Sequence, residues 1–418
     1  MSERPLHIAW LSPAPGEDGG VTGVATELIG GLAARGHRID CFFPSAGQPI
    51  PERLQAEPRV VIHWGTNRFQ WNRWYSRTRL TAFASGMVTR SVASLRLRKE
   101  IVAHHQRDPF DVVYQFSSIE SPALPGALRR AVPLAIQPET HAAGELRAMI
   151  AERRLALRCH PLPQYLTVVA ILLLRSLVQR IVIRRAALLI CISGVFRDHL
   201  VHDYRFPRER TVVVPNPIRI DRFAPAEHAI GDPAEVLVLG RVAVRKGIDD
   251  AIAAARILRD RGAPVRFRVV GAGSLWSDYT PLLEDLPPEN AEYAGRVDAD
   301  AIAGELARSD LLLQPSRYEP FALTVAEALA SGVSVVGTTE VGAIERVDRE
   351  VASAAPPADP EALADAVVSA LERVRSEPSR MRALARSEAE RLFAAEVVCE
   401  QVAAALAEVA SAPADRRS

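Results

Sequence analysis

Cysteine is scarce in this chain, and its spacing excludes two classes of site. The 418 residues contain four cysteines, Cys41, Cys159, Cys191 and Cys399, and no two of them form a CxxC pair. Zinc sites built on paired cysteines and disulfide frameworks need closer or more numerous cysteines. We therefore expect no metal site or disulfide of this kind, and we expect the reducing cytoplasm as the location.

The chain also lacks an excess of charge of either sign. Its 51 basic and 50 acidic residues give a formal net charge of +1. Proteins that bind the phosphate backbone of nucleic acids usually carry a clear basic excess. We therefore expect no nucleic acid as a partner.

No segment has the sequence pattern of a secretory signal or a membrane span. Glu3 and Arg4 interrupt the N-terminus, and no apolar core with a small-residue cleavage site is present. The most lipid-like stretch is 166–183, but its continuous apolar run, 168–174, stops at Arg175. A spanning helix needs roughly 18 apolar residues, so no transmembrane helix is expected.

Two series of short apolar runs and helical patterns predict two α/β domains. The first has expected strands at 6–11, 59–63, 111–115, 134–136 and 187–192 and a helix at 24–35. The second has expected strands at 235–239, 265–270, 311–313 and 333–336 and helices at 248–261 and 323–330. This alternation favours parallel sheets.

The domain limits follow from composition. Residues 215–233 contain four prolines and little periodicity, which is typical of a linker. We therefore predict an N-terminal domain at 1–214, a linker at 215–233, a C-terminal domain at 234–380, a helical segment at 381–410 and a disordered tail at 411–418.

The segment LGRVAVRKG places Gly240, Arg241, Lys246 and Gly247 between the end of a strand and the start of a helix. Open α/β sheets bind ligands at this edge. A forked guanidinium, an ammonium and the N–H groups of a helix start together suit a pyrophosphate. The alternative is two surface charges on a turn.

The segment EPFALTVAE places Glu319 in a loop and Glu327 within a helix, so both can face one pocket. Carboxylates accept hydrogen bonds from paired hydroxyls, as in a ribose or a sugar. The amides of Ala322, Leu323 and Thr324 would lie at the helix start, which favours an anion. The alternative is a solvated helix face.

The ordered motifs GRVAVRKG, VVGAGS, AGRV and EPFALTVAEALASGVSVVGT resemble the donor domain of retaining GT-B glycosyltransferases of the family 4-like, group 1 type. This family includes sucrose synthase-like and mannosyltransferase-like enzymes. The resemblance covers 210–345 well, and it covers the first domain more loosely through Gly19-Gly20-Val21 and VVVPNPIRIDRF. It implies a GT-B fold, in which two Rossmann-like α/β domains face each other across a cleft and the N-terminal one binds the acceptor.

The resemblance also implies site residues. Arg241 and Lys246 would hold the donor diphosphate, Glu327 the ribose hydroxyls, and Glu319 with the backbone that follows it the donor sugar. The predicted donor-binding residues, which lie at strand ends or helix starts, are Gly19, Gly20, Arg241, Lys246, Gly271, Val297, Phe321, Ala322, Leu323, Thr324 and Glu327.

Two residues are predicted to be catalytic, Glu319 and His141. His141, in QPETHAAGE, resembles the family histidine that contacts the donor sugar. Glu139 is an alternative for the same role, and a structural histidine is another interpretation. Ser193 is expected to cap the helix that follows it.

The implied reaction is departure of a nucleoside diphosphate while an acceptor hydroxyl attacks from the same face. Because Arg241 and Lys246 can stabilise the leaving group, we expect no cofactor and no obligatory metal. The expected donor is UDP-linked, with GDP second, and the acceptor is a glycan, a lipid-linked molecule or a small molecule.

The sequence departs from the family pattern at three positions. Ala322 stands where glycine is common, and Pro217 and Arg219 replace the usual Gly and Asp after Asn216. The methyl group of Ala322 lies near the expected donor, so these differences concern the identity of the donor sugar.

A peripheral membrane contact is a further hypothesis. Residues 64–79 interleave aromatic residues with arginines, and the apolar segment 166–183 carries Arg175 and Arg180, with Arg184 directly after it. Both compositions suit an anionic membrane surface. Packing onto the first domain is the alternative for 64–79, and a core or dimer face is the alternative for 166–183.

Other enzyme classes share α/β domains with glycine-rich turns. A nucleotide-cofactor oxidoreductase is disfavoured, because VVGAGSLWS has Trp276 where a third glycine would complete the dinucleotide fingerprint. A phosphorylase or a sugar-nucleotide epimerase of the same fold, and a non-catalytic binding protein, stay as alternatives.

Overall fold

The computed structural model describes residues 4–17, 20–45, 49–67, 96–117, 128, 131–226, 229–273 and 278–412. Gly19, Trp276 and residues 68–79 of the aromatic and arginine-rich segment lie outside the described residues, as do 413–418 of the expected tail.

The first sheet is parallel, with the order β3-β2-β1-β4-β5-β6-β7. Its strands are mostly runs of buried apolar residues, which is typical of a sheet covered on both faces. They are β1 His7–Leu11, β2 Arg38–Ser45, β3 Val60–Asn67, β4 Val112–Phe116, β5 Leu134–Gln137, β6 Leu188–Cys191 and β7 Thr211–Val213.

The second sheet is also parallel, with the order β10-β9-β8-β11-β12-β13. Its strands are β8 Ala234–Leu239, β9 Val265–Val270, β10 Ala291–Gly295, β11 Leu311–Gln314, β12 Ser334–Thr338 and β13 Ala352–Ala355. The strand order reverses between β1 and β4 in the first sheet and between β8 and β11 in the second. In open α/β sheets, ligands bind at such reversals, beyond the carboxyl ends of the strands.

Helices flank both sheets. They are α1 Val21–Ala34, α2 Glu52–Gln55, α3 (96–107), α4 Ala142–Ala151, α5 Arg153–Cys159, α6 Leu162–Ile183, α7 Gly194–Tyr204, α8 Ile248–Asp260, α9 Ile302–Ala307, α10 Leu323–Ala330, α11 Pro360–Ser376, α12 Pro378–Phe393 and α13 Ala395–Ser411. The expected helix cap is confirmed, because the Ser193 hydroxyl accepts a hydrogen bond from the Phe196 amide at the start of α7. The fold is the expected pair of Rossmann-like α/β domains.

The last helix returns to the first domain. Val398, Cys399 and Val402 of α13 are fully buried in the same core as Val24 and Leu28 of α1. A Cβ atom built on Gly31 of α1 would lie 2.3 Å from Cys399 Sγ, so the two helices approach closely. The C-terminal helices therefore link both domains.

Helix α6 contains the apolar segment 166–183 and begins four residues before it. The helix does not end at Arg175, because it covers 22 residues from Leu162 to Ile183. It is long and apolar enough to cross a membrane by length and composition, and only 17% of its most apolar window is buried. Gln179 ties its inner face to the first domain, since it accepts a hydrogen bond from the Ala142 amide at 2.9 Å. Its outer face is exposed.

Candidate active site

One pocket combines the glycine loop of the first domain with the start of α10 in the second. Gly20 lies on one side, and Leu323 and Glu327 lie on the other. Arg222, from the segment between the two sheets, also lines it. Residues that the sequence motifs singled out in separate domains therefore share one cavity, at the carboxyl ends of the strands.

The loop around Gly20 needs glycine for a backbone reason. Gly20 precedes α1 with φ 82° and ψ −156°, a conformation that side chains disfavour. The loop is held by a hydrogen bond from the Gly16 amide to the Thr22 carbonyl at 3.3 Å and by one from Thr26 Oγ1 to the Gly16 carbonyl at 2.8 Å. Gly23 and Val24 of the first turn of α1 line the pocket, and the amides of that turn are potential donors to an anion.

The second-domain loops after β8 and β9 pack against each other. Gly271 has φ 152°, and a Cβ atom there would lie 1.8 Å from the Gly240 carbonyl oxygen. Tyr293 donates a hydrogen bond to the Gly271 carbonyl at 2.8 Å. Arg241 follows Gly240 and is exposed, and Val297 is half-buried just after β10. These residues lie along one edge of the second sheet.

The strongest charge cluster of the site joins Glu319 to two cations. Arg245 Nη1 lies 2.9 Å from Glu319 Oε2, and the Lys246 ammonium forms an ion pair with the same oxygen. Burial alone would raise the pKa of Glu319, but Lys246 and Arg245 lower it to about 2. Burial lowers the pKa of Lys246, and Glu319 opposes that change. Glu319 is therefore ionised and holds both cations.

The start of α10 explains the family preference for glycine. Ala322 precedes the helix with φ 80° and ψ 86°, a conformation that costs energy for any residue with a Cβ atom. Phe321 is 3% exposed and packs edge-on against Phe393, so only its backbone is near the site. The first amides of the helix, those of Leu323 and Thr324, have no intrahelical acceptor. They are available to a phosphate or a sugar hydroxyl.

Glu327 is half-buried in the pocket, one turn into α10. Burial raises its pKa to about 7, and the nearby Arg222 opposes this rise. A carboxylate in this position can accept two hydrogen bonds from a vicinal diol. The arrangement agrees with the ribose-binding role that the resemblance implies.

His141 is not placed as expected for a residue that contacts the donor sugar. It is fully buried, with Nδ1 2.6 Å from the Tyr318 hydroxyl and Nε2 2.9 Å from Asp203 Oδ2. Burial lowers the pKa of His141, and Asp203 opposes this effect. Because the ring is fully buried and is hydrogen-bonded to Tyr318, the histidine connects the two domains instead of facing a ligand.

Glu139, the alternative to His141, lies beyond the carboxyl end of β5 and is half-buried. It accepts hydrogen bonds from Gln137 Nε2 at 3.0 Å and from Asn216 Nδ2 at 2.7 Å. Burial raises its pKa to about 7, although both amides lower it. Its carboxyl group is therefore expected to change its protonation state near pH 7. It lies at the cleft edge of the first sheet.

Sequence reasoning missed several residues of the site. Arg245 is adjacent to Lys246 in the same motif, and that proximity was the available signal. Arg222 lies in the VVVPNPIRIDRF segment that carries the resemblance, and that segment was the available signal. Asp203 reaches His141 only through the tertiary fold, so no local pattern identifies it.

Two family models match the chain. The model described as Glycosyltransferase Family 4 matches residues 18–222. The model described as Glycosyl transferases group 1 matches residues 233–373. Each model corresponds to one of the two sheets with its helices.

Curated relatives match as well. The D-inositol 3-phosphate glycosyltransferase of Geodermatophilus obscurus is 27% identical over 388 residues, which cover 84% of this chain and 78% of that protein. The GDP-mannose-dependent alpha-(1-6)-phosphatidylinositol dimannoside mannosyltransferase of Mycobacterium tuberculosis is 30% identical over 206 residues, which cover 46% of this chain and 52% of that protein. The chain spans about half the length of most of the curated relatives that it matches.

Solved structures share the fold over nearly the whole chain. Sucrose-phosphate synthase from Thermosynechococcus elongatus has a TM-score of 0.66 at 19% identity, covering 96% of this chain and 98% of that one. Anabaena HepE in complex with UDP-glucose has a TM-score of 0.62 at 16% identity, covering 96% of this chain and 100% of that one.

Proposed function

Because the chain belongs to the GT-B glycosyltransferases of the family 4-like, group 1 type, we propose that it transfers a sugar from a nucleoside-diphosphate sugar to an acceptor hydroxyl with retention of configuration. The observation that carries the proposal is the pocket that joins Gly20 of the first domain to Leu323 and Glu327 of the second.

In the proposed reaction, the bond between the anomeric carbon and the diphosphate oxygen breaks. The acceptor oxygen forms its bond to that carbon on the same face, and the acceptor proton passes to the departing diphosphate. Arg241 and Lys246 stabilise the charge that develops on the leaving group, with the amides of Leu323 and Thr324 as further donors. Since these groups supply the stabilisation, we propose that the reaction needs no metal ion.

We propose UDP as the nucleotide of the donor. Anabaena HepE, which shares the fold, was solved with UDP-glucose. The matched mannosyltransferase of Mycobacterium tuberculosis uses GDP-mannose by its name, so GDP is the competing base in the test.

Thermal stabilisation by UDP, GDP, ADP and NAD tests the donor class, because a ligand that binds only the folded state raises the Tm. We expect one nucleoside diphosphate to raise the Tm, and we expect Arg241→Ala and Lys246→Ala to abolish the rise. The matched control is Arg349→Ala, an exposed arginine of the second domain. Stabilisation by NAD alone would contradict the proposal.

The stereochemical outcome needs its own measurement. With the donor identified and a sugar acceptor supplied, proton NMR of the first product reports the configuration at the anomeric carbon. A product with the configuration of the donor supports retention, and the inverted product refutes it. Turnover that depends on inorganic phosphate would favour the phosphorylase alternative, and turnover without any acceptor would favour the epimerase.

We further propose that the acceptor is lipid-linked and that the protein meets it at the cytoplasmic face of an anionic membrane. The supporting surface is the outer face of α6 with α4 and α5. Its exposed apolar residues are Ile150, Leu157, Leu162, Leu166, Leu173, Leu174, Leu177, Val178 and Ile181. Residues 142–185 contain eight arginines and two glutamates. An exposed apolar face on a segment rich in arginine suits anionic lipid headgroups.

Vesicle flotation tests this surface. We expect the protein to float with vesicles of phosphatidylcholine and phosphatidylglycerol but not with phosphatidylcholine alone. Leu177→Asp with Ile181→Asp should abolish flotation, whereas Val61→Asp, at an exposed position on β3, should leave it unchanged. Equal flotation of the double variant would contradict the membrane contact, and UDP stabilisation of the same preparations would show that the donor site is intact.

A further inference from the structure

A cluster of histidines around one buried aspartate lies in the first sheet, outside the donor pocket. Asp40 is the third residue of β2, His7 is the first of β1, and His63 lies in β3. The strand registers pair His7 with Arg38 and Phe42 with His63. Both histidines are therefore offset by two positions from Asp40 and share its face of the sheet.

The two carboxylate oxygens of Asp40 have different partners. Oδ2 lies 2.6 Å from His7 Nε2, and Oδ1 lies 2.7 Å from His63 Nε2. The Asp40 side chain is 2% exposed, whereas those of His7 and His63 are 12% and 18% exposed. Such a buried carboxylate requires partners, because an isolated buried charge is costly.

Helix α3 adds a third histidine. His104 is half-buried, and its ring centroid lies 4.4 Å from that of His63. One ligand atom from each of Asp40, His63 and His104 lies within 4.8 Å of the others. Phe42 stacks on His63 at 4.6 Å and meets His104 edge-on at 5.9 Å, so an apolar wall closes one side of the group.

Two imidazoles and one carboxylate form a ligand set that suits zinc and other divalent first-row transition metals. With metal bonds of about 2.0–2.2 Å, the ligand atoms need to move only by about an ångström. His7 holds the other oxygen of Asp40, and a ligand that is oriented by such a hydrogen bond binds metal better. We propose that Asp40, His63 and His104 bind a divalent first-row transition-metal ion that ties α3 to the first sheet.

This site is separate from the donor pocket. None of Asp40, His63 and His104 lines the pocket that contains the glycine loop. His63 lies in the edge strand β3, two strands away from β1, which precedes that loop, and two strand spacings amount to about 10 Å. The metal is therefore expected to change the stability of the first domain and to leave the affinity for the nucleoside diphosphate unchanged.

The competing interpretation is a hydrogen-bonded network without a metal ion, in which Asp40 accepts hydrogen bonds from His7 and His63. The two interpretations differ in how the protein responds to zinc. Tag-free protein is stripped with EDTA, the chelator is removed, and ZnCl₂ is titrated by calorimetry and followed by thermal unfolding. We expect one zinc ion per chain and a higher Tm.

The decisive variant is His104→Gln, because His104 is the ligand that does not contact Asp40 in the hydrogen-bonded network. The matched control is His202→Gln, a histidine whose side chain is 87% exposed. We expect His104→Gln to lose at least tenfold in zinc affinity and to lose the rise in Tm, with His202→Gln unchanged. Cobalt substitution gives a second readout, since four-coordinate cobalt should show strong visible absorption that His104→Gln abolishes.

Any of three results would overturn the proposal. They are no rise in Tm with zinc, equal zinc binding by the wild-type protein and His104→Gln, or a loss of binding in His202→Gln. No rise in Tm would identify a hydrogen-bonded network without a metal ion. Either of the other two results would identify adventitious zinc binding by surface histidines. UDP stabilisation measured on each variant shows whether the chain is folded, independently of the metal.

Discussion

The ion pairs of Glu319 lead to a prediction with a definite magnitude. Arg245 and Lys246 lower the pKa of Glu319 from 4.5 to about 2, against the effect of burial. Since one pKa unit corresponds to about 1.4 kcal/mol, the ionised form is stabilised by about 3 kcal/mol. The side chain of Glu319 is 9% exposed, so solvent screening is small. We expect Glu319→Gln to lower the free energy of unfolding at pH 7 by about 3 kcal/mol.

The pH dependence of this effect has a fixed sign. A carboxyl group whose folded pKa is lowered stabilises the fold above its unfolded pKa, and this contribution is lost as the pH falls through the folded value. The difference between the wild-type protein and Glu319→Gln should therefore stay constant from about pH 6 to pH 8 and shrink below about pH 4.5. Urea unfolding followed by circular dichroism at pH 7 and pH 4 measures it.

A matched control is Glu372→Gln, an exposed glutamate of α11, which should change the free energy of unfolding by less than about 0.5 kcal/mol. If Glu319→Gln is equally mild, the two cations do not stabilise Glu319 and the reasoning fails. The same variant also tests the donor site. Because the diphosphate supplies the negative charge that the variant lacks, UDP should raise the Tm of Glu319→Gln more than that of the wild-type protein. Equal shifts would show that the diphosphate does not meet these cations.

Three further predictions concern single side chains. Burial raises the pKa of Glu327 to about 7, so UDP affinity measured by calorimetry should rise between pH 6 and pH 8 as the carboxylate forms. Glu327→Gln should weaken UDP binding about tenfold or more and remove this pH dependence. If Glu327→Gln keeps the same pH dependence, Glu327 does not contact the ribose. Ala322→Gly should raise the Tm, because it relieves a positive φ worth about 1 kcal/mol, and a lower Tm would show that the conformation carries no strain. His141→Gln should destabilise the protein by about 2 kcal/mol in urea unfolding without changing the affinity for UDP, and a large loss of affinity with normal stability would restore a role at the donor.

The strands that sequence analysis found are mostly continuous apolar runs in the sequence, whereas those that it missed are short, rich in small residues or interrupted by polar ones. The edge strands β7, β10 and β13 are short, and the last two, AEYAG and ASAA, consist mainly of small residues. An edge strand pairs on one side only, so it needs less apolar surface than a central one. Strand β2 is an internal strand, but its sequence does not show a continuous apolar run, because Arg38 and Asp40 interrupt it and Pro44 lies near its end. Its buried Asp40 is stabilised by His7 and His63 from neighbouring strands, which a local pattern cannot reveal.

The donor motifs could be predicted from the sequence because their residues lie close together along the chain. Arg241 and Lys246 lie within one turn, and the start of α10 follows Glu319 directly. The surroundings of His141 could not be predicted in this way, since its partners Asp203 and Tyr318 come from distant parts of the chain. The position of a histidine after a strand does not tell whether its ring faces the cleft or the protein interior.

The contacts between the domains converge on both sides of Glu319. Before it, Tyr318 contacts His141 of the first domain, and after it, the Pro320 carbonyl accepts a hydrogen bond from Ser193 Oγ at 2.7 Å. A Cβ atom on Gly144 of the first domain would lie 2.4 Å from the Tyr318 ring, so the approach of the domains leaves no free space there. Packed interfaces of this kind have discrete arrangements and do not deform continuously. A rotation that separates Tyr318 from His141 or Pro320 from Ser193 therefore breaks a contact next to Glu319, which couples such a movement to the carboxylate that holds the two cations of the donor site.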